Sequence, residues 1–533
     1  MTTKLPLLVL ALSLAASVQA MSFGPIHHEL LQILSFAAAL SFIELRAKRS
    51  WLLFFYFHTL TLLIGLSWLH ISMTRYGGMP QALSAAALVA FCMYLALFGT
   101  AAFAIYRQAI LRHWIKPGLG AGFAFGGLWG LFELLRAGLF TGFPWLSVGY
   151  AHVDGVLSHW AAWVGVYGIS ALAIAASLWL AALLRSSAPY PPQSTEGADK
   201  RPSMLLSSEG KPGLIIALAV LVITSSLLQH NWVNPSGPSF RSLLMQTNVS
   251  QLQKFDAQRL LEQHERIVHM ILRAQVDLTV SPETAWISPW AHSPLESREK
   301  LVQALAKQGG VLALGMPLGK DIENGETLPI RSNSLVLMQG QGQWLGRYDK
   351  QHLVPFGEFV PPGFRWFVEQ MRIPLGDFER GKDPAPIHPV AGRLIGFNIC
   401  YEDLFPEAIA WQVQQGAHVL VNASNLAWFG DSHALHQHLQ ISRMRSLELQ
   451  RPMLRATNTG ATAAIGADGR VVAKLPHLSE EVLVTNVQPM KGLTPFARYR
   501  LGGTWVFLGL MLIVALCLAR FKALTNRGIK ISS

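Results

Sequence analysis

Residues 393–406 read RLIGFNICYEDLFP. Leu394–Ile399 is a short apolar run of the kind that lies inside a sheet, and it leads directly into Cys400. Pro406 then opens a helix, because proline is tolerated in a first helical turn. A cysteine at such a strand-to-turn junction is offered to solvent rather than packed in a core. Strand and helix signals alternate on both sides of it. Upstream, SFRSLLMQTNV (Ser239–Val249) reads as a strand, Phe255–Ala274 as an amphipathic helix, and Val276–Val280 as a short strand ending at Ser281-Pro282. Glu296–Gln308 reads as a helix, Val311–Met316 as a strand, and Ser332–Met338 with Trp344–Tyr348 as a hairpin around a Gly-rich turn. Downstream come Val419–Ala423, a helix Leu435–Leu449 that stops before Pro452, and strands at Met453–Thr457, Ala461–Ile465, Val471–Leu475 and Val482–Val487. Residues 239–488 therefore form an α/β layered domain of about 250 residues, a usual domain size.

The rest of the chain is of another kind. Of 533 residues, 51% are hydrophobic and only 14% charged, whereas a soluble domain carries about 25% charged residues. That excludes a disordered chain and an ordinary cytosolic enzyme. The net charge of +12 is unevenly spread: Arg241–Met490 holds 23 Lys+Arg against 24 Asp+Glu, and the remainder 20 against 7. The basic excess lies with the hydrophobic segments, which is topogenic charge and not a nucleic-acid surface.

About eight apolar runs are long enough, or nearly so, to span a bilayer: Leu5–Ala20, Leu30–Leu45, Trp51–Ile71, Ala82–Tyr106, Gly118–Leu135, Trp160–Leu184, Gly213–Leu228 and Gly503–Ala519. Alternate loops are basic: Arg46, Lys48 and Arg49; Arg107, Arg112 and Lys116; Arg185, Lys200, Arg201 and Lys211; Arg520, Lys522, Arg527 and Lys530. By the positive-inside rule both termini are cytoplasmic and the α/β window lies on the outer side. Seven spans are expected in 1–229, the catalytic window at 239–488, and a last span at 503–520. Lys4, the first apolar run and Val18-Gln19-Ala20 also fit a secretory signal peptide, whose removal would leave the later topology unchanged.

Three polar residues follow strand ends: Glu283 in SPETAW, Lys350 in RYDKQHLVPFGEFVP and Cys400. A thiol nucleophile needs a base and some thiolate character. Glu283 can take and return the proton, and Lys350 can lower the thiol pKa and hold an oxyanion. Each residue also has an ordinary explanation, as a small buried hydrophobe or a solvated charge. Of the three cysteines, Cys92 and Cys517 lie in apolar runs, which leaves Cys400 without a disulfide partner in its own domain. His433, His436 and His438 are spaced poorly for a metal, since residues two apart on a helix diverge. Glu133 and Arg136 sit inside an apolar run at i,i+3, where they can neutralise each other.

These motifs resemble the nitrilase (carbon–nitrogen hydrolase) superfamily and, more closely, the apolipoprotein N-acyltransferase family. The resemblance rests on PETAW (Pro282–Trp286), YDKQHLVPFGEFVP (Tyr348–Pro361), ICYEDLFP (Ile399–Pro406), NLAWFGDS (Asn425–Ser432) and RATNTGATA (Arg455–Ala463). In the membrane part it rests on ELLRAGLFTGFPWLSVGY (Glu133–Tyr150) and GVYGIS (Gly165–Ser170). It implies an αββα sandwich, with Glu283 as general base, Lys350 on the oxyanion side and Cys400 as the acylated nucleophile. Glu358 matches a supporting acid, and Tyr401 and Glu402 match positions beside the nucleophile. Phe255 stands where the family usually has Trp at a substrate contact, Leu426 where it has Asp, and Gln450 where it has Gly. Phe143, Pro144 and Trp145 are candidates to shape lipid access, and Trp428, Phe429 and Phe356–Phe359 to shield a thioester from water.

The implied reaction carries an acyl chain from a membrane phospholipid, phosphatidylethanolamine by resemblance, through a Cys400 thioester. The acceptor is the α-amino group of the N-terminal diacylglyceryl-cysteine of an apolipoprotein. The resemblance implies no cofactor, no metal, no nucleic-acid partner, a monomer, and a Gram-negative inner membrane with the catalytic domain in the periplasm. Two alternatives are a membrane-anchored nitrilase or amidase acting on a small C–N substrate, and a catalytically dead membrane scaffold.

Overall fold

The computed structural model describes residues 4–24, 26, 28–186, 211–254, 256–319, 330–361, 363, 365, 378–382 and 384–528. They divide into two compact units. One comprises residues 1–67, 87–230 and 501–533; the other comprises 68–86 and 231–500.

The first unit is helical. Among the described residues, four helices are long and apolar enough to cross a membrane: Gln81–Leu111, Leu119–Thr141, Val156–Arg185 and Pro495–Arg520. Ser50–Gly65 with Leu69–Tyr76 makes a fifth if that bent pair is one span, and Leu5–Met21, Glu29–Phe42 and Lys211–Leu227 are shorter apolar helices. Among the described residues, eight clear spans are therefore not present by length; the apolar runs read from the sequence are in part broken or shorter as helices. The glycines near Gly118 explain one close contact. A Cβ on Gly126 would lie 2.2 Å from the Ala171 carbonyl oxygen, so glycine lets two helices approach backbone to backbone. Glu133 and Arg136 are buried 4.0 Å apart. Glu133 Oε1 accepts from the Val148 N–H (2.9 Å) and the Trp129 indole (3.0 Å), while Arg136 donates to Ser147 Oγ (3.0 Å). The pair thereby fixes the turn through Pro144 and Trp145.

The second unit is built on two six-stranded sheets, with β1 (Val233–Pro235) and β14 (Met490–Gly492) paired outside them. One runs β13 (Glu481–Val487), β2 (Phe240–Gln246), β3 (Leu278–Val280), β4 (Val311–Gly319), β5 (Ile330–Gln339) and β6 (Gln343–Asp349). The other runs β12 (Val471–Lys474), β11 (Ala463–Ile465), β10 (Met453–Thr457), β9 (Val419–Ser424), β8 (Arg393–Ile399) and β7 (Ile387–Val390). A core of Leu244, Val280, Leu335, Ile395, Phe397, Val421 and Leu454 draws on both sheets. A second core packs β2, β4 and β5 against the helices Leu260–Ile271 and Leu295–Gln308 through Met245, Ile267, Leu301 and Leu314. Strands in both sheets bury both faces, which explains their unbroken apolar runs. The β2-β3-β4 and β8-β9-β10 triplets are parallel. Their carboxyl ends are where open α/β sheets place ligands.

Most expected elements are present; the helix expected from Phe255 begins only at Leu260, and Gln251–Lys254 forms a separate turn before it.

Candidate active site

Glu283 follows β3, Lys350 follows β6 and Cys400 follows β8, and folding brings them together. Lys350 Nζ donates to Glu283 Oε1 (3.0 Å) and Glu358 Oε1 (2.9 Å). Asn333, in β5, donates to the same two oxygens at 2.7 and 2.8 Å. Glu283 Oε2 accepts the backbone N–H of Asn425, just past β9 (2.9 Å), and Glu358 Oε2 accepts from Val354 N–H (2.9 Å). All four side chains are buried.

The charges follow from this packing. Burial works to raise the Glu283 pKa, but the charges of Lys350 and Lys254 and the hydrogen bonds from Lys350 and Asn333 outweigh it, leaving a carboxylate below its usual range. Burial works against the Lys350 cation, yet Glu283 and Glu358 overcome it and keep Lys350 protonated. Cys400 corrects the expectation of an acidified thiol. Desolvation first, then the negative charge of Glu283, push its pKa well above the usual value, and Lys350 and the Asn425 N–H offset only part. The resting site is a neutral thiol beside an ionised base.

Cys400 is partly exposed and holds φ +53°. A non-glycine residue in that region costs about 1–3 kcal/mol, and the surroundings must hold it there. Two sets of contacts do so. Glu402 accepts from the backbone N–H groups of Ile399 (2.7 Å), Gln351 (2.6 Å) and His352 (2.9 Å) and from the Tyr348 hydroxyl (2.8 Å). Burial pushes its pKa up to about 7, and these donors act to lower it. Beneath the turn, Asp403 pairs with Arg455 (3.2 Å) and His438 (3.2 Å), all fully buried. Asn422 donates to the Cys400 carbonyl (3.3 Å).

Tyr401 is buried, its ring 5.2 Å from Phe405 and 5.8 Å from His352. Trp428 and Phe429 lie in the turn after Asn425 and keep part of their surface. Phe429 packs on Trp68 (4.3 Å between rings) and Trp428 on Tyr76 (5.6 Å). Phe255 lies outside the described residues. Phe143, Pro144 and Trp145 belong to the helical unit. Pro144 and Trp145 are buried there, and Phe143 keeps exposed surface, beside Phe91 (5.1 Å). His438 serves the Asp403 network, and the His436 ring lies tilted 4.8 Å from that of His477.

Sequence reasoning missed Asn333, Lys254, Gln251, Asn425 and Asn458. Asn425 and Asn458 stand inside quoted motifs, and Lys254 beside Phe255.

Comparison with known proteins joins the two units. Residues 15–179 match the model for the apolipoprotein N-acyltransferase N-terminal domain, and residues 244–492 match that for carbon-nitrogen hydrolases. A putative apolipoprotein N-acyltransferase of Bordetella parapertussis is 38% identical over 94% of this chain and 92% of its own length. The chain belongs to the apolipoprotein N-acyltransferase family. The apolipoprotein N-acyltransferase of Ralstonia nicotianae is 43% identical, covering 82% of this chain and 79% of that one. Among solved structures, an amidase of the nitrilase superfamily from Nesterenkonia is 19% identical with a TM-score of 0.36, covering 50% of this chain and 95% of that one. The matches to both family models fit a membrane protein carrying a nitrilase-like domain.

Proposed function

We propose that this protein N-acylates lipoproteins, with Glu283, Lys350 and Cys400 as the reacting groups. The observation that carries the reading is the buried Glu283–Lys350–Glu358 cluster beside a strained cysteine, in a chain of this family. The donor is a membrane phospholipid. Glu283 takes the Cys400 proton as sulfur attacks the sn-1 ester carbon. Lys350 steadies the oxyanion. The ester C–O bond then breaks, and Glu283 returns the proton to the departing lysophospholipid alkoxide. In the second half, the α-amino group of a diacylglyceryl-cysteine attacks the thioester carbon. Glu283 accepts a proton from that amine and gives it to the leaving thiolate. The N-acylated lipoprotein departs and the neutral thiol is restored.

A neutral resting thiol suits this cycle, because proton transfer is coupled to the arrival of an ester. Both substrates are confined to a bilayer, so a site held at its outer surface gains from proximity. In the proposed topology, spans within 1–229 precede a periplasmic domain at 239–488, and a last span at 503–520 follows it. Both termini are cytoplasmic, at a Gram-negative inner membrane. The alternating basic loops support this orientation. The four long helices, the bent pair and three shorter apolar helices would together supply eight crossings. The enzyme acts as a monomer and binds no nucleic acid in this reading.

Intact mass spectrometry after incubation with phosphatidylethanolamine tests it. One acyl chain should add to the wild type and not to Cys400→Ala. A wild type that stays unmodified and releases ammonia from small amides would make it a membrane-anchored amidase instead.

A further inference from the structure

The segment after β2 folds back over the candidate site. The Asn248 N–H donates to the Asn458 carbonyl (2.7 Å) and the Val249 N–H to Asn458 Oδ1 (2.8 Å). Asn458 donates to Asn425 Oδ1 (3.0 Å), and Asn425 in turn donates to Gln251 Oε1 (2.8 Å). This chain of amides orients Asn425, whose backbone N–H binds Glu283. It also delivers a lysine.

Lys254 is 3% exposed. Its Nζ donates to the main-chain carbonyl of Glu283 (3.0 Å) and to Thr284 Oγ1 (2.6 Å). Thr284 holds φ +46°, a region that β-branched residues rarely enter, so the ammonium ties down a strained turn. Neither hydrogen-bond partner is an anion. A neutral amide would satisfy both acceptors without the cost of burying a charge. The compensating charge comes from across the site: the Glu283 carboxylate acts on Lys254, and the Cys400 sulfur adds to it once it ionises. Burial lowers its pKa to about 8, with Glu283 and Cys400 opposing that loss.

We infer that Lys254 is a second cation of the acyl-transfer centre, a positioning residue that fixes the Glu283–Thr284 turn and adds its charge to that of Lys350 on Glu283 and on the developing Cys400 thiolate. The inference rests on the proposed roles of Glu283 and Cys400. Lys254 keeps its proton through the cycle, and no bond to it forms or breaks. Glu283 is also faced by Lys350, Asn333 and the Asn425 N–H, and its charge reaches His438. Cys400 is also faced by Lys350, Glu358 and Arg455. Removing Lys254 therefore weakens the positive field without abolishing it.

The test is single-turnover acyl-enzyme formation on full-length protein in detergent with phosphatidylethanolamine, followed across pH by intact mass. Lys254→Gln keeps donors for both acceptors and drops the charge. It should slow acylation about 100-fold at neutral pH, the scale of losing one stabilising group at a developing anion. Its acid limb should move up by about one pH unit, because Glu283 loses a cationic neighbour. Lys254→Arg should recover most of the limb position. Thr284→Val removes the hydroxyl tether and leaves the charge, so its limb should stay in place. A Lys254→Gln rate within about twofold of wild type, or an equal loss at every pH with an unmoved limb, overturns the inference. So does a moved limb in Thr284→Val, which can be read even where the Lys254 variants fold poorly. An adduct that persists in Cys400→Ala would instead bring down the thioester reading on which this one stands.

Discussion

Glu402 accepts the Tyr348 hydroxyl at 2.8 Å, joining the strand that carries Lys350 to the turn that carries Cys400. The same carboxylate binds the Ile399, Gln351 and His352 N–H groups. One side chain thus sets the spacing between the cation and the nucleophile. Glu402→Ala strands these donors, each unsatisfied one costing about 1–3 kcal/mol. Thermal unfolding in detergent should drop clearly. Glu402→Gln, which keeps an acceptor oxygen, should unfold closer to wild type yet form acyl-enzyme about 100-fold more slowly, because misplacing a reacting group by about 1 Å costs that much. Wild-type acylation by Glu402→Gln would contradict this spacing role.

The thiol gives a pH prediction. The folded protein favours the neutral form of Cys400, so the stability this contributes is present below the ordinary thiol pKa and is lost as pH rises. Glu283 runs the other way. Its contribution is present above the ordinary carboxyl pKa and is lost as pH falls through the depressed value. Iodoacetamide should therefore label Cys400 at least about tenfold more slowly than free cysteine at pH 8, since the thiolate is the reactive form. Peptide mass spectrometry separates this site from Cys92 and Cys517. Labelling as fast as free cysteine at pH 8 would mean that the site stabilises the thiolate.

Gly315, in β4, lets the base approach. A Cβ there would lie 2.2 Å from the Pro282 carbonyl oxygen and 2.8 Å from the Thr284 nitrogen. Gly315→Ala should push the Glu283 turn away and slow acylation about 100-fold. Gly502→Ala, where an added Cβ meets nothing within 4 Å, is the control. Equal rates for the two variants would show that the turn yields without consequence.

Trp68 is fully packed beneath Phe429, and its indole donates to Gln437 Oε1 (3.1 Å). Trp68→Phe gives up that hydrogen bond, about 1 kcal/mol, whereas Trp68→Ala opens a cavity worth about 3–5 kcal/mol. With its support gone, the Leu426–Phe429 turn should admit water, so the acyl-enzyme of Trp68→Ala should hydrolyse faster than wild type when no acceptor amine is present. Time-resolved intact mass measures that decay, and an unchanged lifetime would separate Trp68 from the site.

Much of the domain was legible because its signals are local. Met453–Thr457 was read with its observed bounds, since Pro452 and the polar turn at Asn458-Thr459-Gly460 mark its two ends. Glu283, Lys350 and Cys400 are polar residues at strand ends, and the resemblance of their motifs to a known family singled them out. Asn333 did not, because an amide inside a strand looks like any solvent-facing residue until its two carboxylate partners are known. Lys254 did not either, because a lysine in a polar segment cannot be told from a solvated charge until its burial is known. The apolar runs gave about eight candidate spans where, among the described residues, four helices, or five with the bent pair, pass by length, since hydrophobicity does not register where a helix ends or breaks, as it does after Gly65.

By itself the sequence determined the membrane character, the α/β domain and the three candidate reacting residues, because each is written in composition, periodicity or a short motif. Only the tertiary structure decided their electrostatics. A pKa depends on burial and on charges from distant segments, so Cys400 emerged with a raised pKa instead of an acidified one. Tertiary packing likewise brought Lys254, from a turn 29 residues earlier, against the backbone of Glu283.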